Sequence, residues 1–186
     1  MKFGGTSVGG SEAIARTVEI IRGRLGKKPV VVVSAMTKIT DLLYRIADAA
    51  ASKDLRGVEE NVRDLRERHI ATAEQLLEND AANLLPAISR VNEICDELEH
   101  YVLAVCALGE LSDRSKAKIV SNGELLSSTI ICHVMNSKGI RTTWMDARKV
   151  MVTDSCYMQG EPDMSERCAR VPGAVAEAYE GMDAII

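Results

Sequence analysis

The sequence predicts an α/β fold, and two observations carry that prediction. The first is the opening: a short extended stretch at residues 1–3, a glycine-rich turn at 4–10, a helix-patterned segment, then four consecutive valines at 30–33. Strand, turn, helix and strand in that order make a βαβ unit. The second is a pair of long segments, from about residue 55 to 108, whose apolar residues recur at alternating three- and four-residue spacing. Such seams belong to two long helices packed as an antiparallel hairpin.

The elements can be justified in order. After the turn, Ser11 is placed as a helix N-cap, Ile14, Val18, Ile21 and Leu25 follow at helical spacing, and Gly26 closes the helix in the left-handed region. The valine run is uniformly apolar and β-branched, which predicts a strand buried on both faces, as in a parallel sheet. Residues 40–52 read as a second helix, with Leu42, Leu43, Ile46 and Ala50 on one side. The first seam runs through Leu55, Val58, Val62, Leu65, His69, Thr72 and Leu76. Asn83 is placed as the cap of the next helix and Pro86 in its first turn. Its seam is Ile88, Val91, Cys95, Leu98, Val102 and Val105.

Asn122 is placed as the cap of a helix over residues 123–137, with Leu126, Ile130 and Val134 inward and Gly139 beyond it. Strands are expected at 140–145 and 150–153. Residues 165–180 have helical composition, kinked or split at Pro172-Gly173. Residues 183–186 begin another apolar strand, so the chain is expected to be a portion of a longer domain.

Composition narrows the function classes. The 186 residues suit one domain, and a 46% apolar share suffices for a core; with 3% aromatics, aliphatic and alanine side chains must fill it. A net charge of −4 gives no sign of a nucleic-acid partner. Five cysteines, an odd number without CxxC spacing, argue against a zinc site or a disulfide framework. They are expected as buried or half-buried thiols in a reducing cytoplasm. No stretch approaches the ~20 apolar residues of a membrane span, and no signal-peptide pattern opens the chain.

The chemistry concentrates at the start. Gly4 and Gly5 lack Cβ atoms, which lets backbone N–H groups approach a ligand. A following helix adds partial positive charge. Lys2 adds a mobile cation, and Thr6 and Ser7 add hydroxyls. The set suits a phosphate. It is not a Walker A loop, in which Lys follows the glycines, and Gly4, Gly5, Gly9 and Gly10 do not spell GxGxxG. By spacing alone, a tight turn beside a surface lysine accounts for it equally well.

Three blocks carry a resemblance. Lys2-Phe3-Gly4-Gly5-Thr6-Ser7-Val8 resembles the opening signature of aspartate kinases within the amino-acid kinase family. Val31-Val32-Val33-Ser34-Ala35-Met36 with Ile39-Thr40-Asp41-Leu42-Leu43 resembles the family's second block. Asn122-Gly123-Glu124-Leu125-Leu126-Ser127 resembles its third, a Gly-Glu-x-x-Ser helix start. They stand in family order and span nearly the whole chain.

The resemblance implies a three-layer sandwich with an open, mostly parallel sheet, with residues 55–108 as a helical hairpin insertion. It implies ATP- and Mg²⁺-dependent phosphorylation of the β-carboxylate of L-aspartate. An aspartate side chain, with a pKa near ~4, is already an anionic nucleophile at neutral pH, so no catalytic base is needed. Catalysis then consists of positioning and neutralisation. By the same resemblance Lys2 is the catalytic cation. Lys2, Phe3, Gly4, Gly5, Thr6 and Ser7 form the ATP-phosphate site. Ser34, Thr40 and Glu124 bind the substrate, Glu124 through the α-ammonium. No metal ligand is assigned.

Each residue also has a structural reading. Ser34 and Thr40 would cap the helix at 40–52, and Glu124 would complement a helix dipole. Asp146 and Asp154 resemble pocket-lining residues of the family and are equally accounted for as turn residues. His69, His100 and His133 are expected to be packed or surface residues. The family's downstream Gly-Arg-Gly-Gly-Ser-Asp-like block and its ACT regulatory domains are not in this sequence, so the chain alone is expected to be inactive. The full-length enzyme is expected to be a homodimer. Two alternatives stand beside this: a relative acting on glutamate, acetylglutamate, carbamate or a nucleoside monophosphate, or a non-catalytic module built on the helical hairpin.

Overall fold

The computed structural model describes all 186 residues, Met1–Ile186. Four two-residue strands, β1 (Lys2–Phe3), β2 (Val32–Val33), β3 (Thr142–Thr143) and β4 (Ala184–Ile185), are set among seven helices. β1 pairs in parallel with β2, Lys2 opposite Val32, and β3 pairs in parallel with β4, Thr142 opposite Ala184. A parallel bridge between Val30 and Ile185 joins the two pairs, with Val31 N–H donating to Ile185 O at 2.8 Å. The strand order is therefore β1-β2-β4-β3, all parallel.

The helices are α1 (Ser11–Arg22), α2 (Ile39–Ala51), α3 (Leu55–Leu77), α4 (Ala81–Leu108), α5 (Asp113–Val120), α6 (Asn122–Ser137) and α7 (Met164–Ala178). One apolar cluster joins Phe3, Val31, Val33, Ala184 and Ile186 of the strand segments to the buried faces of α1 through α6. α3 and α4 form the expected hairpin, turned by residues 78–80, and α2 and α6 pack against it. Arg66 of α3 ties the two helices, donating to Asn92 Oδ1 at 2.9 Å and to Asp96 Oδ1 at 2.7 Å. Val58, Val62 and Leu65 of one seam and Val91, Cys95, Leu98, Val102 and Val105 of the other lie in the common core, whereas Leu55 is 54% exposed and Ile88 is half-buried. No helix is long and apolar enough to cross a membrane.

Several expectations are corrected. The valine strand is covered on one face only: Val31 and Val33 are buried, whereas Val32 is 55% exposed. Residues alternate across a strand, and helices cover only the Val31/Val33 side. α1 ends at Arg22, a turn before Gly26, because the chain tightens into a 3-10 turn at Leu25–Lys27, and Lys28 takes the left-handed conformation at φ 45°. Ser11 begins α1, and Gly10 is its cap.

Asp80, not Asn83, caps α4, accepting from the Asn83 N–H at 3.2 Å. Pro86 then falls in the second turn. The carbonyl it leaves unpaired is that of exposed Ala82, which water can reach. α5 is unanticipated. Its end is capped by Asn122, whose Nδ2 donates to the carbonyls of Lys118 and Ile119 at 2.9 and 3.0 Å, so Asn122 does not cap α6. The strand expected at 150–153 is reduced to one antiparallel bridge, Thr153 to Pro162. α7 runs unbroken through Pro172 and Gly173, both exposed.

Candidate active site

β1 and β2 are parallel and in register, so both release the chain at the same edge of the sheet. Their ends are bonded, Ser34 N–H to Phe3 O at 3.0 Å. The glycine turn leaves β1 there, and the segment Ser34-Ala35-Met36-Thr37-Lys38 leaves β2. Carboxyl ends of parallel strands are where open α/β sheets bind ligands.

α6 brings the third sequence block to this edge. Gly123 is buried against the loop after β2: a Cβ there would stand 2.7 Å from Ala35 Cβ and 3.2 Å from Leu43 Cδ1. This close approach lets Glu124 Oε1 accept from the Ala35 N–H at 3.3 Å. Ser127 is fully buried, and its Oγ lies 2.9 Å from Ser34 O and 3.2 Å from Glu124 O, two carbonyls that share its single proton. In the sequence Ser127 stands only as the last residue of the Gly-Glu-x-x-Ser motif, with no role attached. The signal that was available is the spacing, since residues three apart share a helix face.

The glycine turn is a short 3-10 segment, Gly5–Val8, closed by Ser7 N–H to Gly4 O at 2.9 Å. It lies against the loop after β2. Thr37 Oγ1 donates to Gly5 O at 3.4 Å, a Cβ on Gly5 would be 3.3 Å from Ala35 O, and one on Gly9 would overlap Thr37 Oγ1. Gly4 has an ordinary φ of −80°, and a Cβ there would touch nothing, so its glycine leaves open space rather than relieving strain. Lys2, Thr6 and Ser7 are exposed. No ion pair takes up the charge of Lys2. An exposed lysine without an ion pair, two residues ahead of an uncrowded glycine, is compatible with an anionic phosphate.

Ser34 is half-buried at the strand end, and Thr40 is the exposed second residue of α2. Neither hydroxyl caps α2, whose N-cap is Lys38 in the left-handed region at φ 65° without a side-chain bond. Thr40 takes part in none of the hydrogen bonds that join Ser34, Ala35, Glu124 and Ser127. A cleft of about 420 Å³ opens beside Glu124, lined also by Val32, Leu125, Trp144, Asp146 and Arg148.

Asp146 is held there by Arg148, with Nη2 to Oδ2 at 2.8 Å and Nε to Oδ1 at 2.9 Å, and its pKa is lowered chiefly by that bonding. Asp154 lies elsewhere and organises a turn, accepting from Cys156 N–H at 3.0 Å and Glu161 N–H at 3.2 Å. His69 is fully buried, its Nδ1 2.6 Å from Leu65 O, and burial lowers its pKa to about 4. A larger depression, about 910 Å³, lies between α1, the α3–α4 turn and the far end of α6, remote from Glu124. Its lining includes Arg16, Glu19, Glu78 and Lys138 but none of the residues of the three sequence blocks.

A sequence model of the amino acid kinase family matches residues 1–177. The chain is 34% identical over 172 residues to bifunctional aspartokinase/homoserine dehydrogenase 1, chloroplastic, of Arabidopsis thaliana, covering 89% of this chain and 18% of that protein. It is 33% identical over 164 residues to the aspartokinase of Chlamydia muridarum, covering 88% of this chain and 33% of that protein. In fold it is similar to the crystal structure of E. coli aspartokinase III in complex with aspartate and ADP, with a TM-score of 0.83 at 23% identity, over 99% of this chain and 39% of that one. The chain thus spans less than a fifth of the first relative and a third of the second.

Proposed function

Since the chain belongs to the amino acid kinase family, we propose that it forms the aspartate-binding wall and the phosphate turn of an aspartate kinase catalytic domain. The observation that carries this is the convergence of all three sequence blocks on one sheet edge, through Ser34 N–H to Phe3 O and Glu124 Oε1 to Ala35 N–H. Glu124 uses one oxygen on the Ala35 amide, which leaves the other for the α-ammonium of aspartate. The Ser34 and Thr40 hydroxyls, engaged in no cap, serve the same substrate. Lys2 faces the transferring phosphoryl group of ATP, with Phe3, Gly4, Gly5, Thr6 and Ser7 shaping that turn. The β-carboxylate of aspartate attacks as the anion it already is. The product is 4-phospho-L-aspartate. In this reading the magnesium travels with the nucleotide phosphates.

The remaining parts of the proposal concern the whole enzyme. The four parallel strands belong to the three-layer open sheet of the family, and the exposed side of Val32 is the face its second helical layer covers. Residues 55–108 are an insertion. The nucleotide grip comes from a Gly-Arg-Gly-Gly-Ser-Asp-like block that these 186 residues do not contain. The whole enzyme is a homodimer in a reducing cytoplasm, feeding the biosynthesis of aspartate-derived amino acids.

The test is a titration of the ¹⁵N-labelled chain. L-Aspartate should shift the amides of Ser34, Ala35, Thr40 and Glu124, and L-glutamate or N-acetylglutamate should do so far less. An equal response to the longer acids, or silence at these amides, would sink the assignment. With ATP, Mg²⁺ and aspartate, the chain alone should give at most traces of hydroxylamine-trapped aspartyl phosphate.

A further inference from the structure

Ser34 C=O and Ala35 N–H are the two poles of a single peptide group. The carbonyl accepts from Ser127 Oγ at 2.9 Å, and the N–H donates to Glu124 Oε1 at 3.3 Å. Glu124 and Ser127 are three residues apart on α6, so they stand on one helix face about 5–6 Å apart. In a trans peptide the carbonyl and the N–H point in opposite directions. A donor and an acceptor at that separation can therefore take both at once. One turn of α6 grips the peptide that ends the valine strand.

The shorter of the two Ser127 Oγ contacts supports a specific role. A helical serine usually returns its proton to a carbonyl three or four residues back. Here the bond to its own helix, at Glu124 O, is the longer at 3.2 Å, and the shorter one crosses 93 residues of sequence to Ser34. Ser127 is fully buried, so water cannot replace the bond if the hydroxyl is removed. Gly123 allows the approach, since any Cβ there would press on Ala35.

We propose that Ser127 is a positioning residue for the substrate site: by fixing the plane of the Ser34–Ala35 peptide, it aims the Ala35 N–H at Glu124 and so holds the carboxylate that receives the substrate ammonium. Ser127 touches no substrate itself. It acts through the peptide plane, which also sets the direction of the Ser34 side chain. This gives a mechanical reason for the Gly-Glu-x-x-Ser spacing: the glycine admits the strand end, the glutamate takes the N–H, and the serine takes the carbonyl. The inference rests on the proposed aspartate site.

The experiment compares the wild-type chain with Ser127→Ala and Ser127→Thr, each ¹⁵N-labelled and titrated with L-aspartate and, separately, with inorganic tripolyphosphate. Urea midpoints are measured in parallel. Ser127→Ala should weaken aspartate roughly five- to ten-fold, the value of one net hydrogen bond, and leave tripolyphosphate within about two-fold. Ser127→Thr, which keeps the hydroxyl, should restore aspartate binding. Aspartate binding by Ser127→Ala equal to wild type overturns the proposal and leaves the aspartate reading standing. Parallel loss of both ligands, or a loss in Ser127→Ala that Ser127→Thr does not restore, also overturns it, because the residue would then be a general prop of the fold. No aspartate response in the wild type overturns the aspartate reading and this inference with it.

Discussion

Lys2 and His69 are opposite cases of a charged or chargeable side chain. Lys2 is exposed and no carboxylate pairs with it. Its removal should leave stability within about ±0.5 kcal/mol, as for other surface changes. Lys2→Ala should nonetheless weaken tripolyphosphate binding on the order of ten-fold, the loss of one charge-assisted contact, read by calorimetric titration beside a urea melt. His69 is buried with Nε2 unpaired, and desolvation holds its pKa near 4, below the ordinary 6.5. The unfolded chain therefore binds a proton more readily than the folded one between pH 6.5 and about 4. The contribution of this group to stability is full above that window, falls as pH drops through it, and levels off below it. The span amounts to roughly 3 kcal/mol. His69→Leu should flatten that part of the pH–stability curve, measured by urea midpoints at pH 7, 6 and 5. An unchanged slope would exclude His69 as its source.

At the scale of elements, what matters is how closely one helix reaches the sheet. α6 carries both Glu124 and Ser127, and its first turn is close enough to bond only because residue 123 is glycine. Alanine would gain about 1 kcal/mol in helix propensity. The same methyl would sit 2.7 Å from Ala35 Cβ, 3.2 Å from Leu43 Cδ1 and 3.4 Å from Ile39 Cγ2, all part of buried residues. Overpacking of that kind costs about 1–3 kcal/mol, so Gly123→Ala should be destabilising on balance. It should also broaden the Ala35 amide resonance. A more stable Gly123→Ala variant would show that α6 can retreat freely, and the grip of α6 on the Ser34–Ala35 peptide would lose its basis. The α3–α4 hairpin was readable from its seams because each seam is a local helical pattern. Its start was misplaced because Asn83 and Asp80 both have capping side chains. Asp80 won by being one residue ahead of the first helical turn, with a side chain that reaches the Asn83 N–H.

Across the whole molecule, the cysteines give a direct test of which surfaces are closed. Cys95, Cys106 and Cys132 are buried, and burial raises the thiols of Cys95 and Cys132 to about 11. Cys156 and Cys168 are exposed, contrary to the expectation of buried or half-buried thiols throughout. In the native chain a disulfide reagent at pH 8 should modify two of the five thiols quickly and the rest only on unfolding; a fast third thiol would mean the core opens. The sequence by itself determined what depends on near neighbours: the α/β class, the amphipathic faces of α2, α3 and α4, and the glycine turn after Phe3. It also placed the three blocks in order along the chain. Only the tertiary structure decided that Val32 faces outward, that β4 lies between β2 and β3, and that Glu124 and Ser127 hold one peptide of the β2 end. Those outcomes rest on partners 89 and 93 residues apart. Local propensity fixes how a segment folds, but not which distant segment completes its hydrogen bonds.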